Sequence, residues 1–343
     1  MLVIVADDLT GALDAAAPFA ARGMHVEVAL EGGAIDAALR QEPDVLSVNL
    51  GSRELSGDVA NARAAAILAA LPAEARLFKK VDSRLKGHIA AELDATPFRS
   101  ALVAPAIPAF GRYVTGGCVR GFGIDEPISV RERLGRHADR SMIPDTSTAA
   151  EMRASLEDAE RIGVEMLIGA RGLAEALAER MTGETAAQAA EIPAGSALFV
   201  IGSRDPITLA QIDVLRSSVT TRYLAAPNGR LVGAMGDDSA ITLVQAVPGQ
   251  ADVSSEEVSE ALAESVCPNL ALSAGIMLLS GGATAEAVLR KMNIQRFRLL
   301  GECLPGLGLA EVDGRCIIAK SGGFGSPDTL KQIAEASLRK MGS

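Results

Sequence analysis

The sequence predicts an α/β protein of two domains, each a mainly parallel sheet flanked by helices, with a cleft between them. Strand-like apolar runs alternate with helix-like runs in both halves of the chain, the pattern of a parallel sheet covered on both faces. The 343 residues exceed one ordinary core. Between the halves, residues 182–195 (TGETAAQAAEIPAG) are small, weakly patterned and suited to a linker. The expected domains are therefore 1–181 and 196–343.

The elements follow in order. LVIVA is a short buried strand, and DDLTG leads into an Ala-rich helix ending at Gly23, with Thr10 as its expected N-cap. HVEVAL alternates as a half-buried strand. DVLSVNL is a third strand, and residues 54–70 read as a helix. ARLFKKV is a fourth strand, with a helix after Gly87, and SALVAPA is a fifth. Residues 105–146 are rich in Gly, Pro and Arg and predict an excursion from the sheet containing a hairpin, with Tyr113 and Cys118 in structural roles. Strand–helix alternation resumes at VEMLIGARGLAEALAERM, residues 164–181. The second half opens with SALFVIGSRDPITLAQI and closes with CIIAKSGGFGSPDTLKQIAEASL, where Pro327 suits the first position of a helix.

Composition excludes several functions. A net charge of −10 argues against a general binder of nucleic acid or membrane surfaces. Cys118, Cys267, Cys303 and Cys316 form no C-x-x-C pair, and the three histidines are not spaced to join them at zinc. Isolated thiols suit a reduced compartment. The N-terminus has no basic segment, and its apolar run stops at Asp7, too short for a signal peptide or a membrane span. A soluble cytoplasmic protein is expected.

In open parallel sheets, ligands bind beyond the carboxyl ends of strands. Three kinds of turn there carry chemistry. ADDLTG places Asp7 and Asp8 at the end of the first strand, where carboxylates can bind hydroxyls, act as a base, or cap a helix. KKVDSRLKG puts Lys79, Lys80, Arg84 and Lys86 against Asp82 alone, a local reversal of the chain's sign. Strand alternation sends Lys80 and Asp82 to one face and Lys79 to the other. Arg84 and Lys86 lie near an expected helix N-terminus, which favours anions, so an anion among them would explain the cluster. A solvated basic face is the competing reading, and His88 reads as a helix-surface histidine. The third kind is the Gly-rich turn: Gly202-Ser203, Ser280-Gly281-Gly282 and Ser321-Gly322-Gly323. Glycine permits close approach, and free N–H groups at a helix start can cradle phosphate oxygens. Neither G-x-x-x-x-G-K-[ST] nor G-x-G-x-x-G occurs, so a P-loop NTPase and an ordinary Rossmann dehydrogenase are unsupported.

At these turns the sequence resembles the four-carbon acid sugar kinase family. The stretches IVADDLTGALD, FKKVDSRLKGHIAAEL, APAIPAFGR, GARGLAEAL, IGSRDPITLAQI, LLSGGATAEAVL and AKSGGFGSPDTL lie in order over nearly the whole chain. The resemblance implies a sugar-acid-binding N-terminal domain and a nucleotide-binding C-terminal domain. It implies phosphorylation of a threonate, erythronate or 3-oxo-tetronate type acid by ATP with Mg2+. On that reading Asp8 or Asp82 orients or deprotonates the attacking hydroxyl. Asp7, Lys80, Ser83, Arg84 and Lys86 bind the acid. Ser203, Ser280, Gly281, Gly282, Ala283, Thr284, Gly322 and Gly323 bind the nucleotide, as part of turns that include Lys320–Gly325. The metal ligands are unassigned. Expected partners are the sugar acid, ATP and a second copy in a homodimer, with no nucleic acid and no membrane. A sensor that binds the acid or nucleotide without turnover is open to the same residues.

Overall fold

Most predicted strands are short, mainly apolar runs, and several are buried along their whole length, as the inner strands of a sheet covered on both faces must be. The computed structural model describes residues 1–232 and 239–339. The chain divides into two compact units, Met1–Gln188 and Ala189–Ser343.

In the first unit the strands are β1 Leu2–Ala6, β2 Val26–Ala29, β3 Val45–Asn49, β4 Arg76–Lys80, β5 Ala101–Ala104, β6 Arg112–Thr115, β7 Cys118–Gly121, β8 Ile128–Ser129, β9 Ser141–Met142 and β10 Met166–Gly169. All but β6, β7 and β8 form one parallel sheet in the order β2-β3-β1-β4-β10-β5-β9. β6, β7 and β8 make a separate antiparallel sheet, the hairpin-bearing excursion that the Gly-rich segment predicts. Val3, Val5, Leu46, Val48 and Ile35 are buried together on one face of the parallel sheet. Full burial of each such side chain contributes about 1.5–3 kcal/mol.

Helix boundaries correct two expectations here. The first helix, Leu9–Ala20, begins one residue before Thr10, and Asp8 is its N-cap, its carboxylate accepting the Gly11 N–H. Its extended backbone and short acceptor make it the better cap. A helix at Ala149–Arg161 fills a stretch for which the sequence pattern predicts no element. It opens with a capping box in which Thr148 and Glu151 satisfy each other's backbone N–H groups.

The second unit holds β11 Ala197–Ile201, β12 Arg222–Pro227, β13 Ile241–Val247, β14 Ile276–Ser280, β15 Arg296–Leu304, β16 Leu307–Val312 and β17 Arg315–Lys320. The order is β12-β13-β11-β14-β17-β16-β15, parallel from β12 to β17 and antiparallel through β16 to β15. Phe199, Ile201, Leu243, Leu278, Ile318 and Leu330 are buried in its core. The last helix, Thr329–Leu338, starts two residues beyond Pro327. Ser326 and Asp328 form a turn at its entry, with Ser326 Oγ donating to the Asp328 carboxylate at 2.5 Å, so Pro327 precedes the helix rather than opening it.

Both sheets contain a point where the chain changes direction. β1 is followed by β2 on one side, whereas its neighbour β4 is followed by β5 on the other. Likewise β11 leads to β12 on one side and its neighbour β14 leads to β15 on the other. The connecting segments therefore part at the carboxyl ends of these pairs, the place where open α/β sheets take ligands.

Candidate functional site

At the first unit's switch point, Ala6 of β1 and Lys80 of β4 are in register, so DDLTG and the basic turn leave the sheet side by side. Asp7 is 3% exposed, and Arg53 grips it with two hydrogen bonds of 2.8 Å, Nε to Oδ2 and Nη2 to Oδ1. Arg53 also donates from Nη1 to Asp8 Oδ2. Burial alone would raise the Asp7 carboxyl, but the Arg53 guanidinium, helped by Lys79 and Lys80, outweighs it and holds the carboxyl below its ordinary 3.8. Both oxygens of Asp8 are engaged: Oδ1 accepts Gly11 N–H at 2.7 Å, and Oδ2 accepts Thr10 Oγ1 at 3.0 Å as well as Arg53.

The four cations of the basic turn separate into different roles. Lys79 is buried on the other face of β4 and forms a 2.6 Å ion pair with the equally buried Glu92. Glu92 also accepts Ser52 Oγ at 2.5 Å, tying the Arg53 loop to the helix Ile89–Asp94. Lys79 is thus structural. Lys80, 4% exposed, faces Asp14 at 3.7 Å, and Asp14 also pairs with Arg171 at 3.4 Å. Arg84 and Lys86 are exposed and form no ion pair among the described residues. The helix behind them starts only at Ile89 and is six residues long, so its terminus does not explain the cluster as expected.

Arg112 provides a firmer reason. The β6–β8 sheet brings it to Ser83, whose hydroxyl accepts Nη1 at 2.5 Å, while Nε and Nη2 rest on the Phe122 carbonyl at 3.1 and 3.0 Å. Burial lowers the Arg112 pKa, and repulsion from Arg84 lowers it further, opposed by Asp82. Two guanidiniums therefore stand beside a buried serine with one carboxylate in electrostatic reach. Asp82 shapes the turn: its Oδ2 accepts Arg84 N–H at 2.8 Å and Lys86 N–H at 3.5 Å, while Oδ1 accepts no hydrogen bond among the described residues. Leu85 holds φ +54 in this turn, a strained value for a branched side chain. At Gly87, with φ +85, an added Cβ would lie 2.6 Å from Asp7 Oδ2. Sequence reasoning missed Arg53 and Arg112. Arg112 closes the APAIPAFGR stretch, and its place after a left-handed Gly111 was the available signal.

The second switch point is built from backbone. Ile201, Ser280 and Lys320 end β11, β14 and β17 in one register, so the three Gly-rich turns emerge together. Gly281 N–H donates to the Lys320 carbonyl at 2.9 Å, and Gly202 N–H to the Ser280 carbonyl at 3.1 Å. A Cβ on Gly202 would fall 1.9 Å from Thr284 Oγ1, and one on Gly322 would fall 2.2 Å from Ser203 Oγ. Thus Ser203, Gly281, Thr284 and Gly322 come together, with Gly323 beside Asp205, whose Oδ2 would lie 3.0 Å from an added Cβ. Gly282 opens the helix Gly282–Lys291, followed by Ala283. Thr284 points inward, 2% exposed, to Ser259 Oγ at 3.3 Å. Ser280 Oγ is buried without a hydrogen-bond partner among the described residues. Asp205 caps the helix Pro206–Ser218 through Oδ1, which accepts Ile207 N–H at 2.8 Å.

The described residues contain no cluster of three or more His, Cys, Asp or Glu able to hold a metal, and no helix long and apolar enough to cross a membrane. Mg2+ commonly binds through one or two carboxylates together with substrate phosphates, a requirement that Asp205 can meet beside the glycine turns.

Fold and sites define an α/β protein with two switch points, one lined by charged side chains and one by glycine turns. Residues 2–123 match a sugar-binding N-terminal domain, and residues 234–330 match a nucleotide-binding C-terminal domain. A D-threonate kinase of Cupriavidus necator is 30% identical over 96% of this chain and 96% of its own length. A D-threonate kinase of Bordetella bronchiseptica is 29% identical over 97% and 96%. In fold, the chain is similar to a Salmonella typhimurium structure described as a putative tRNA synthase, with a TM-score of 0.77, 18% identity and 99% of each chain covered. The chain belongs to the four-carbon acid sugar kinase family.

Proposed function

We propose that this kinase transfers the terminal phosphoryl group of ATP to a hydroxyl of a four-carbon sugar acid of the threonate or erythronate type. The observation that carries the reading is the pair Arg84 and Arg112 around Ser83 at the first switch point, two guanidiniums with no ion pair among the described residues and only Asp82 in electrostatic reach. The exposed Arg84 guanidinium offers the planar, bidentate donors that a carboxylate matches, while Arg112, held by the Phe122 carbonyl and Ser83, adds charge beside it. Lys80 and Lys86 add positive charge, and Asp7, locked by Arg53, forms the floor.

Asp82 is the better-placed base. Its Oδ1 is uncommitted, whereas both oxygens of Asp8 are engaged. Asp82 takes the proton as the hydroxyl oxygen attacks the terminal phosphorus, and ADP leaves. Asp8 holds Arg53 and the helix start. Phosphoryl transfer depends mainly on positioning and charge stabilisation. The turns at Ser203, Ser280–Ala283 and Lys320–Gly325 would hold the nucleotide phosphates, with the close approach that Gly202, Gly281 and Gly322 permit. Asp205 would hold Mg2+, which supplies neutralisation of phosphate charge when bound.

A coupled assay of ADP release over a panel of four-carbon sugar acids tests this. One or more threonate- or erythronate-type acids should raise ADP release well above that with ATP alone. A panel in which no acid does so removes the proposal. Binding of acid and ATP without release would point to a sensor.

A further inference from the structure

Lys320 ends β17 with 1% of its surface exposed, yet its ammonium meets no carboxylate within ion-pair distance among the described residues. Its three donors go instead to Thr208 Oγ1 at 3.0 Å, the Ser321 carbonyl at 3.0 Å and the Gly322 carbonyl at 3.1 Å. Thr208 Oγ1 in turn donates to the same Gly322 carbonyl at 2.6 Å. In a planar trans peptide the N–H points opposite the C=O. Drawing the Ser321 and Gly322 carbonyls inward therefore turns the N–H groups of Gly322 and Gly323 outward. Neither has an acceptor among the described residues.

We propose that Lys320 is a positioning residue for the nucleotide phosphates: it aims two backbone N–H groups and sets a buried positive charge one peptide layer beneath them. The inference rests on the reading that the glycine turns bind nucleotide. It assigns Lys320 no contact with the reacting atoms. Such a preorganised set of donors costs no rearrangement when an anion arrives.

The charge is conditional. Burial lowers the Lys320 pKa to about 8, with Asp205, from the turn after β11, the charged group that opposes the shift. Below about 8 the ammonium is intact. Above it the free protein loses the proton, and phosphate binding must restore it.

Lys320→Met should weaken ATP and ADP binding by tenfold or more and leave adenosine, which lacks phosphates, within twofold. Lys320→Arg should restore part of the loss. Calorimetric titration of each ligand measures this. ATP affinity in Lys320→Met within twofold of the parent overturns the proposal, as does an equal loss for adenosine. Should that variant fail to fold, the parent alone decides. Its ATP affinity should fall by up to about tenfold per pH unit above pH 8, while adenosine affinity stays level. A level ATP profile to pH 9.5 overturns the inference. A parent that binds no nucleotide at all instead sinks the site assignment itself, and this inference with it.

Discussion

The two switch points solve the same geometric problem with different materials. The first is lined by charged side chains drawn from four segments: Asp7 and Asp8, Arg53, the turn from Lys80 to Lys86, and Arg112. The second is lined by glycine backbone, with a single buried lysine beneath it. Side chains can place a carboxylate and distinguish hydroxyls, because each donor has its own direction. Backbone N–H groups suit phosphate oxygens, which are many and alike, and glycine lets them come close. The first site should therefore be sensitive to the removal of a charge, and the second to the addition of a single carbon.

The contrast is broken most sharply within the basic turn itself. Lys79→Met should cost about 3–5 kcal/mol of stability, since it strands Glu92, which is 1% exposed. Urea unfolding at neutral pH measures it. An unfolding midpoint equal to the parent's would show that Lys79 is not the structural member of the turn. Gly202→Ala comes next. Its Cβ would meet Thr284 Oγ1 at 1.9 Å, so overpacking should cost about 1–3 kcal/mol and raise the KM for ATP more than that for the acid. Equal changes in both constants would erase the proposed division between the sites.

Arg84→Ala should leave stability unchanged within about 0.5 kcal/mol, as a surface substitution does. It should raise the KM for the acid roughly tenfold to a hundredfold, the loss of one charge-assisted hydrogen bond of about 1.5–3 kcal/mol. Nucleotide binding should hardly change, and Arg84→Lys should rescue only in part. Steady-state kinetics with the best acid decides whether Arg84 is instead a solvated charge.

The smallest effect concerns pH. The Asp7 pKa is lowered in the folded protein, so the folded state binds fewer protons than the unfolded one near 3.8. Its contribution to stability is present above 3.8 and is lost as pH falls through the folded value. The stability difference between the parent and Asp7→Asn should therefore shrink on acidification below 3.8. A difference that is level from pH 6 to pH 3 would mean that Arg53 does not hold the carboxylate as described.

The sequence by itself determined most strands of the first unit and β11, β14 and β17 of the second, with the turns that follow them, but not β12, β13, β15 or β16, because burial on both faces leaves continuous apolar runs and glycine punctuates the strand ends. It also contained a helix signal that periodicity overlooked, the Thr148 to Glu151 capping box. Strand alternation correctly separated Lys79 from Lys80. Only the tertiary structure decided what each face meets. Glu92 neutralises Lys79 from a later helix, Arg53 locks Asp7 and Asp8 from a separate loop, and Arg112 reaches Ser83 from a small antiparallel sheet. A charge is free or bound according to its neighbours in space, and sequence spacing does not encode neighbours that different strands supply. The same holds for Lys320, whose place under the Gly322 turn depends on the helix that carries Thr208.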